Sequence, residues 1–264
     1  MDDAMQDSRL IRVGMGQMYV EPGDLEGNLQ RAETMVGKAA EAGCDVIVLP
    51  ECCDLGWTHA SALTRSAPIP GATSAAFASF ARDNGIAVIA GVTERDHDRV
   101  FNSAIAMDAS GTLLAKHQKI AELSFARQVY QTGSSVQAFD MLGTRIGMTV
   151  CADNADADQP VLAGALGLMG ARILLSPCAW AVPPDHDNVA TPYGEPWESS
   201  YPRIARQYNM AVVGVSNVGP VVGGEWDGHR CIGSSLAVDH SGEIIAKLPY
   251  GIDAEVLHTI EVAA

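Results

Sequence analysis

The chain has 264 residues, 47% of them hydrophobic, which is enough to bury a sizeable core and lies at the upper end for one domain. Its 17 basic and 32 acidic residues give a formal net charge of −15, which disfavours nucleic acid and membrane surfaces as partners. No secretion signal and no apolar run near the ~18 residues that cross a bilayer are visible. Six cysteines in such a chain favour a reducing, cytoplasmic setting with free thiols, without disulfides or zinc.

Short apolar runs alternate with Ala-rich helical stretches, and this alternation indicates an α/β fold. The first strand is predicted at 11–18, followed by a helix that Asp24 caps and Gly43 ends, and then by a buried strand at 45–49. The other predicted elements are helices at 73–84, 158–170 and 197–209, strands at 86–91, 144–150, 171–175 and 210–215, and hairpins at 102–116 and 234–247.

The two hairpins make the sheet mixed. Each is predicted to turn at a Ser-Gly pair, Ser110-Gly111 and Ser241-Gly242, and two-residue turns join antiparallel strands. The longest stretch without periodicity is 178–196, rich in Pro, Asp and His. Such a segment is either the wall of an active site or a disordered stretch at the surface.

A cysteine ends the strand at 144–150, shortly before a helix is predicted to begin. Sites in α/β folds lie at the carboxyl ends of strands, where a turn would expose the Cys151 thiol and direct the Ala152 N–H at the atom under attack. Such a position can lower a thiol pKa from about 8.5 into the ~3.5–7.5 range. Taken alone, the position equally fits a small buried side chain, the commoner role of cysteine.

Glu51 and Lys119 also follow apolar strands. Glu51 comes directly after VIVLP, although a helix cap or a surface charge explains it as well. Lys119 closes TLLAKHQKI, where strand alternation places His117 and Lys119 on one face and Lys116 on the other. A lysine at a strand end is usually solvated, so neither residue identifies a site alone.

Several separated motifs, taken in chain order, resemble the nitrilase superfamily of carbon–nitrogen hydrolases. VIVLPE resembles that family's first glutamate motif, and IGMTVCAD resembles its nucleophile strand. GVTERDHDRVFNSAIAMDASGTLLAKHQKI resembles the stretch that ends in its lysine strand. YPRIARQYNMAVVGVSNVG and GHRCIGSSLAVDHSGEIIAK resemble the helix and strand behind its site and its final hairpin. The resemblance runs from Ile11 to about Val262.

This resemblance implies an α/β fold, the four-layer αββα sandwich with two mixed β-sheets. One carbon–nitrogen hydrolase domain would occupy residues 1–264, with residues 1–9 as a flexible N-terminal extension. The family assembles as homodimers or larger homo-oligomers across the helix layers beside the nucleophile, so the expected partners are a small-molecule substrate and further copies of the chain.

The resemblance also implies a catalytic triad. Cys151 would be the nucleophile and Glu51 would carry the proton from the thiol to the leaving nitrogen and then activate water. Lys119, with the Ala152 N–H, would stabilise the oxyanion. This chemistry needs no cofactor and no metal.

Substrate-binding residues are harder to place. Many family members have a second glutamate several residues after the lysine, and we assign that role to Glu122, with Glu195 as the alternative and a surface charge as an equal explanation of either. The side chains expected to line the pocket, unless they serve packing or a dimer contact, are Trp180, His186, Tyr193 and Trp197.

The CAD sequence resembles the amide-cleaving branches of the family more than the nitrile-cleaving one. We therefore expect a hydrolase of a small linear amide or an N-carbamoyl compound that forms a Cys thioester. The first alternative is a nitrilase that releases acid and ammonia from a nitrile. The second, from another class, is a non-catalytic scaffold member of the same fold.

Overall fold

Two six-stranded mixed sheets form the centre of the molecule in the computed structural model, which describes residues 9–155 and 160–264. In spatial order the first sheet contains β15 (Val256–Ala263), β1 (Leu10–Gln17), β2 (Val46–Val48), β3 (Ala87–Asp96), β4 (Arg99–Met107) and β5 (Leu113–Gln118). The second contains β14 (Ile244–Lys247), β13 (Leu236–Val238), β10 (Ala211–Ser216), β8 (Ile173–Cys178), β7 (Thr144–Met148) and β6 (Ala138–Met141).

Each sheet has a parallel centre and antiparallel edges. Strands β1, β2 and β3 run parallel, as do β7, β8 and β10, while the neighbours of these strands pair antiparallel. Parallel neighbours need crossover connections, which are the helices predicted between them. A small third sheet contains β11 (Val218–Pro220), β12 (Arg230–Ile232) and β9 (Ala181–Val182).

Helices cover the outer face of each large sheet, so the layers are helix, sheet, sheet and helix. Helices α1 (Leu25–Glu41) and α3 (Ala72–Asn84) pack on the first sheet, and α4 (Val161–Leu168) and α5 (Glu195–Tyr208) on the second. A one-turn helix, α2 (Ala62–Arg65), precedes α3. The inner faces meet where β1 contacts β10 and where β2 and β3 contact β8. The expected αββα sandwich is confirmed.

The ends of the helices follow their local sequence. The Asp24 carboxylate accepts a hydrogen bond from the Gly27 N–H at 3.1 Å and caps α1 as predicted. Gly85 ends α3 in the left-handed conformation, at φ +64°. Of the predicted helix at 158–170, residues 161–168 form α4, and the part at 158–159 lies outside the described residues, as do residues 1–8 of the expected N-terminal extension.

The strands of the two predicted hairpins pair antiparallel, but the predicted two-residue turns are wrong. Five residues connect each pair of strands because an aspartate organises the loop: Asp108 Oδ1 accepts from Ser110 N and Thr112 N, each at 2.9 Å. Asp239 does the same for Ser241 N and Glu243 N. In each loop the aspartate carboxylate accepts hydrogen bonds from backbone N–H groups of the loop, and these bonds stabilise a loop longer than two residues.

Two further elements differ from the sequence prediction. Strand β3 continues to Asp96 and forms an unpredicted hairpin with β4 through His97 and Asp98. The segment predicted to be irregular is shorter than expected, because Cys178 ends β8, 181–182 forms β9 and Glu195 begins α5. Within the described ranges, no helix combines the length and apolarity that a membrane crossing requires.

Candidate active site

Three strands bring their carboxyl ends to one cavity. Glu51 follows β2, Lys119 follows β5 and Cys151 follows β7, and all three line a cavity of about 150 Å³. The Glu51 N–H donates to the Cys178 carbonyl at 3.1 Å, which joins the end of β2 to the end of β8 in the other sheet. The site therefore lies where the two sheets meet, and each sheet contributes part of it.

A buried ion pair occupies the floor of the cavity. Lys119 Nζ lies 2.7 Å from Glu51 Oε1, and Asn102 Nδ2 donates to the same oxygen at 2.6 Å. Both charged side chains are at most 2% exposed. Burial lowers the pKa of Lys119, but the carboxylates of Glu51 and Glu122 outweigh burial and raise that pKa well above its ordinary value. The lysine is therefore a fixed positive charge.

Glu122 is the second carboxylate beside this lysine. Its Oε2 lies 3.9 Å from Lys119 Nζ, and its side chain is fully buried. Burial raises the pKa of Glu122 to about 7, with the Glu51 charge adding to the effect and the Lys119 charge opposing it. Glu195, the alternative from the sequence, is exposed at the first residue of α5 and does not line the cavity.

The backbone at the candidate nucleophile is strained. Cys151 has φ +46° and begins a short 3₁₀-helix, Cys151–Asn154. Its N–H donates to Ser176 Oγ at 3.2 Å, and Ala152 lines the cavity next to it. A positive φ at a non-glycine residue persists only where the surroundings impose it, and such residues concentrate at functional sites.

Asp153 imposes part of this geometry. Its Oδ2 accepts from Val150 N at 2.9 Å and lies 2.8 Å from His117 Nε2, while its Oδ1 accepts from Ile120 N and Ala121 N. One carboxylate thus links the turn at Cys151 to the residues directly after Lys119. His117 faces this carboxylate, as strand alternation predicts for a side chain on the same face as the lysine.

The Cys151 environment favours the thiol over the thiolate. A hydrogen bond with the Cys178 thiol, burial and the negative charge of Glu51 raise the pKa of Cys151 well above its ordinary value, and the Lys119 charge opposes them only in part. This is the reverse of the lowered pKa expected from the position at a strand end. The reason is enclosure: the sulfur is buried beside a carboxylate and a second thiol.

Aromatic side chains form the cavity wall. Trp180 stacks on Trp197 with ring centroids 4.9 Å apart, and Trp197 Nε1 donates to Tyr193 Oη at 2.9 Å. The sequence predicted these three side chains in the pocket, and they line it. His186, predicted with them, lies outside the cavity, with its ring 6.4 Å from that of Tyr250.

Comparison with known proteins identifies the family of this chain. The family model described as carbon-nitrogen hydrolase matches residues 12–262, almost the whole chain. The chain belongs to the carbon-nitrogen hydrolase family. It is therefore a hydrolase of the nitrilase superfamily that acts on carbon–nitrogen bonds, as the motifs indicated.

Named relatives of this carbon–nitrogen hydrolase include both nitrilases and amidases. A protein called nitrilase from Pyrococcus abyssi is 26% identical over 90% of this chain and 84% of its own length. An omega-amidase of Xenopus tropicalis is 27% identical, and the match covers 64% of each chain. A solved amidase from Nesterenkonia sp. superposes with a TM-score of 0.80 at 20% identity, over 96% of this chain and 90% of that one.

Sequence reasoning missed six other described residues that line the hydrolase's cavity. Three are alanines, at 155, 179 and 181. The other three are Trp57, Leu123 and Trp226, which lie outside regular elements and so carry no periodic signal. Trp57 lies six residues after Glu51, the last residue of the glutamate motif, and this short separation is the one sequence signal that could have placed it in the site. Among the described residues, no group of three His, Cys, Asp or Glu side chains is placed to hold a metal ion.

Proposed function

We propose that this hydrolase cleaves a small linear amide or N-carbamoyl compound through a thioester on Cys151, with Glu51 and Lys119 as the other members of a catalytic triad. The observation that carries the proposal is the buried ion pair, 2.7 Å from Oε1 to Nζ, in one cavity with the thiol. A base and a fixed positive charge beside a nucleophile are what acyl transfer from nitrogen requires.

Acylation begins with a thiol that keeps its proton. Because its pKa is raised, Cys151 attacks only as Glu51 takes that proton, and the sulfur then bonds to the carbonyl carbon. Lys119 and the Ala152 N–H stabilise the oxyanion. Glu51 passes the proton to the nitrogen, the carbon–nitrogen bond breaks, and ammonia or an amine departs to leave the thioester.

Deacylation reuses the same groups. Glu51 takes a proton from water, the resulting hydroxide attacks the thioester, and the oxyanion again lies beside Lys119. The carbon–sulfur bond breaks, the sulfur regains the proton that Glu51 holds, and the acid is released. Lys119 suits this role because two carboxylates keep it charged despite its burial.

Amides are favoured over nitriles by the relatives. The omega-amidase and the Nesterenkonia amidase carry that activity in their names, and the latter has been solved with acrylamide and with butyramide. The relative from Pyrococcus abyssi is called a nitrilase, so the nitrile is the matched alternative substrate for the test.

The test combines a substrate panel with Glu51→Gln. Wild type is expected to release ammonia from butyramide much faster than from butyronitrile, and Glu51→Gln to lose about 10²- to 10⁴-fold in kcat/KM. The matched control is Glu41→Gln, an exposed residue at the end of α1, which should keep wild-type activity. Intact-mass measurement on Glu51→Gln should then detect the acyl group on Cys151.

Three results would contradict the proposal. Faster hydrolysis of the nitrile would identify a nitrilase, and full activity of Glu51→Gln would remove the proposed base. No turnover of any substrate, with iodoacetamide labelling Cys151 no faster than Cys44, would support a non-catalytic scaffold.

A further inference from the structure

The wall of the cavity beyond the triad is almost entirely apolar. Its large side chains are four tryptophans, one tyrosine and one leucine: Trp57, Trp180, Trp197, Trp226, Tyr193 and Leu123. The tyrosine hydroxyl already accepts the hydrogen bond from Trp197 Nε1. The indole N–H groups of Trp57 and Trp180 have no hydrogen-bond partner among the described residues. A substrate tail in this region therefore meets ring faces, aliphatic carbon and neutral N–H donors, but no free charge.

No cation of the cavity is free to hold an anionic tail. Lys119 is the one basic side chain among the described lining residues, and it is paired with Glu51 and lies near Glu122. His229 stacks on Trp226 at 5.1 Å but does not line the cavity. The undescribed stretch 156–159, which follows the lining residue Ala155, reads DADQ and contains no basic residue.

A carboxylate in this cavity would be doubly unfavourable. It would lose its water without gaining an ionic partner, because the lining offers only neutral N–H donors in place of a counter-charge. It would also lie in the field of Glu51, and the net charge of −15 adds a long-range repulsion. The cavity therefore discriminates against substrates with an anionic tail.

The volume limits the size of the acyl group. At about 150 Å³ the cavity equals an engineered protein cavity that binds benzene. A group of about six heavy atoms fills such a space.

We propose that the acyl group of the substrate is uncharged, aliphatic or aromatic, and of about six heavy atoms. Amides and N-carbamoyl compounds with a carboxylate tail are then excluded, including N-carbamoyl amino acids. This proposal rests on the proposed amidase function and narrows it.

The test compares two amides of equal size and shape. Succinamate ends in a carboxylate, and 4-methylpentanamide has an isopropyl group in its place. Wild type is expected to hydrolyse 4-methylpentanamide with a kcat/KM at least about 100-fold higher. Equal rates would overturn the charge discrimination and leave the amidase function intact, whereas hydrolysis of neither, with no acyl adduct on Cys151, would overturn the proposed function itself.

A cation placed in the wall should change the preference. Trp226→Arg, at a half-buried position, is expected to lower the ratio of neutral to anionic kcat/KM by about tenfold or more. Val222→Arg adds the same charge at an exposed position of the same loop and should leave the ratio unchanged. Leu123→Lys repeats the experiment from another part of the wall if Trp226→Arg fails to fold. An unchanged ratio in a folded wall variant would show that charge in the cavity does not set the preference.

Discussion

Cys151 and its neighbours show how single residues set the chemistry. The thiol is buried against Cys178, whose sulfur also lies 3.6 Å from Tyr201 Oη and 3.3 Å from the Ser176 carbonyl oxygen. Cys178, burial and the charge of Glu51 raise the pKa of Cys151 and favour its protonated thiol. The proposed nucleophile thus depends on Glu51 for activation, in contrast to a cysteine that is already a thiolate.

We predict that Cys178→Ala lowers the pKa of Cys151. The hydrogen bond with Cys178, which holds the proton on Cys151, is the largest cause of the raised pKa, and alanine removes it. The pH at which iodoacetamide alkylates Cys151 at half its maximal rate should therefore fall in the variant. Cys44→Ala, which removes a thiol that contacts Thr259 instead, should leave that midpoint at the wild-type pH. If the midpoint were unchanged in Cys178→Ala, burial and the charge of Glu51 alone would account for the raised pKa of Cys151.

The sequence could locate the proposed catalytic residues but not their protonation. Glu51, Lys119 and Cys151 each stand at the end of an apolar strand, and the order of the motifs that resemble the family selects them. The pKa of Cys151 depends on Cys178, which lies 27 positions later and approaches only through the parallel pairing of β7 with β8. Contacts between distant positions of that kind leave no local pattern in the chain.

At the scale of elements, a close approach of two backbones places the proposed base. Strand β3 passes so near the end of β2 that a Cβ on Gly91 would lie 2.5 Å from Glu51 Cα and 2.6 Å from the Pro50 carbonyl oxygen. Backbone hydrogen bonds from Gly91 N to Pro50 O and from Cys53 N to Gly91 O hold the two segments together. Only glycine fits between them.

We predict that Gly91→Ala impairs both activity and stability. The methyl group must push Glu51 away from Lys119 and Cys151, and a displacement of about 1 Å can cost about 100-fold in kcat. Overpacking of this kind should also lower the free energy of unfolding by about 1–3 kcal/mol. The control is Gly37→Ala in α1, where the nearest atom is 3.6 Å away, so that variant should fold and react as wild type does. If Gly91→Ala kept the kcat of wild type, the site would tolerate this displacement of Glu51 without loss of activity.

Loops were the elements that the sequence described least well. The Asp-x-Ser-Gly segments at Asp108 and Asp239 correctly predicted that the chain turns there. The length of each loop depends on which backbone N–H groups donate hydrogen bonds to the aspartate carboxylate. Trp57 and Trp226 reach the cavity from loops, with ring centroids 5.4 Å apart. A tryptophan in a loop packs equally well on the core or at a surface, so the chain alone does not assign it to a site.

At the scale of the whole molecule, one apolar surface has no cover within the described chain. On α4 and the residue after it, Val161, Leu168 and Met169 are 68%, 87% and 46% exposed. We propose that a second copy of the chain covers this surface in a homodimer, the assembly that the family resemblance implies. Leu168→Glu should then halve the mass measured by light scattering. Val189→Glu, at another highly exposed valine, should keep the dimer, and a monomeric wild type would overturn the proposal.

The buried carboxylates should make the stability of the folded chain depend on pH. Burial raises the pKa of Glu122 to about 7 from an ordinary 4.5. Below pH 4.5 the carboxyl is protonated in both the folded and the unfolded chain. As the pH rises towards 7 the unfolded chain loses this proton first, so the folded state becomes less stable. Asp54, with a pKa raised to about 6, acts in the same direction.

We therefore predict that Glu122→Gln weakens this dependence, because glutamine does not titrate. Between pH 5 and pH 8, wild type should lose on the order of 2 to 3 kcal/mol more unfolding free energy than the variant, measured by urea denaturation at both pH values. Asp54 titrates in both proteins, so its contribution cancels in the comparison. The exposed Glu41→Gln variant should follow wild type. If Glu122→Gln followed wild type as well, Glu122 would be ionised across this whole pH range in the folded chain.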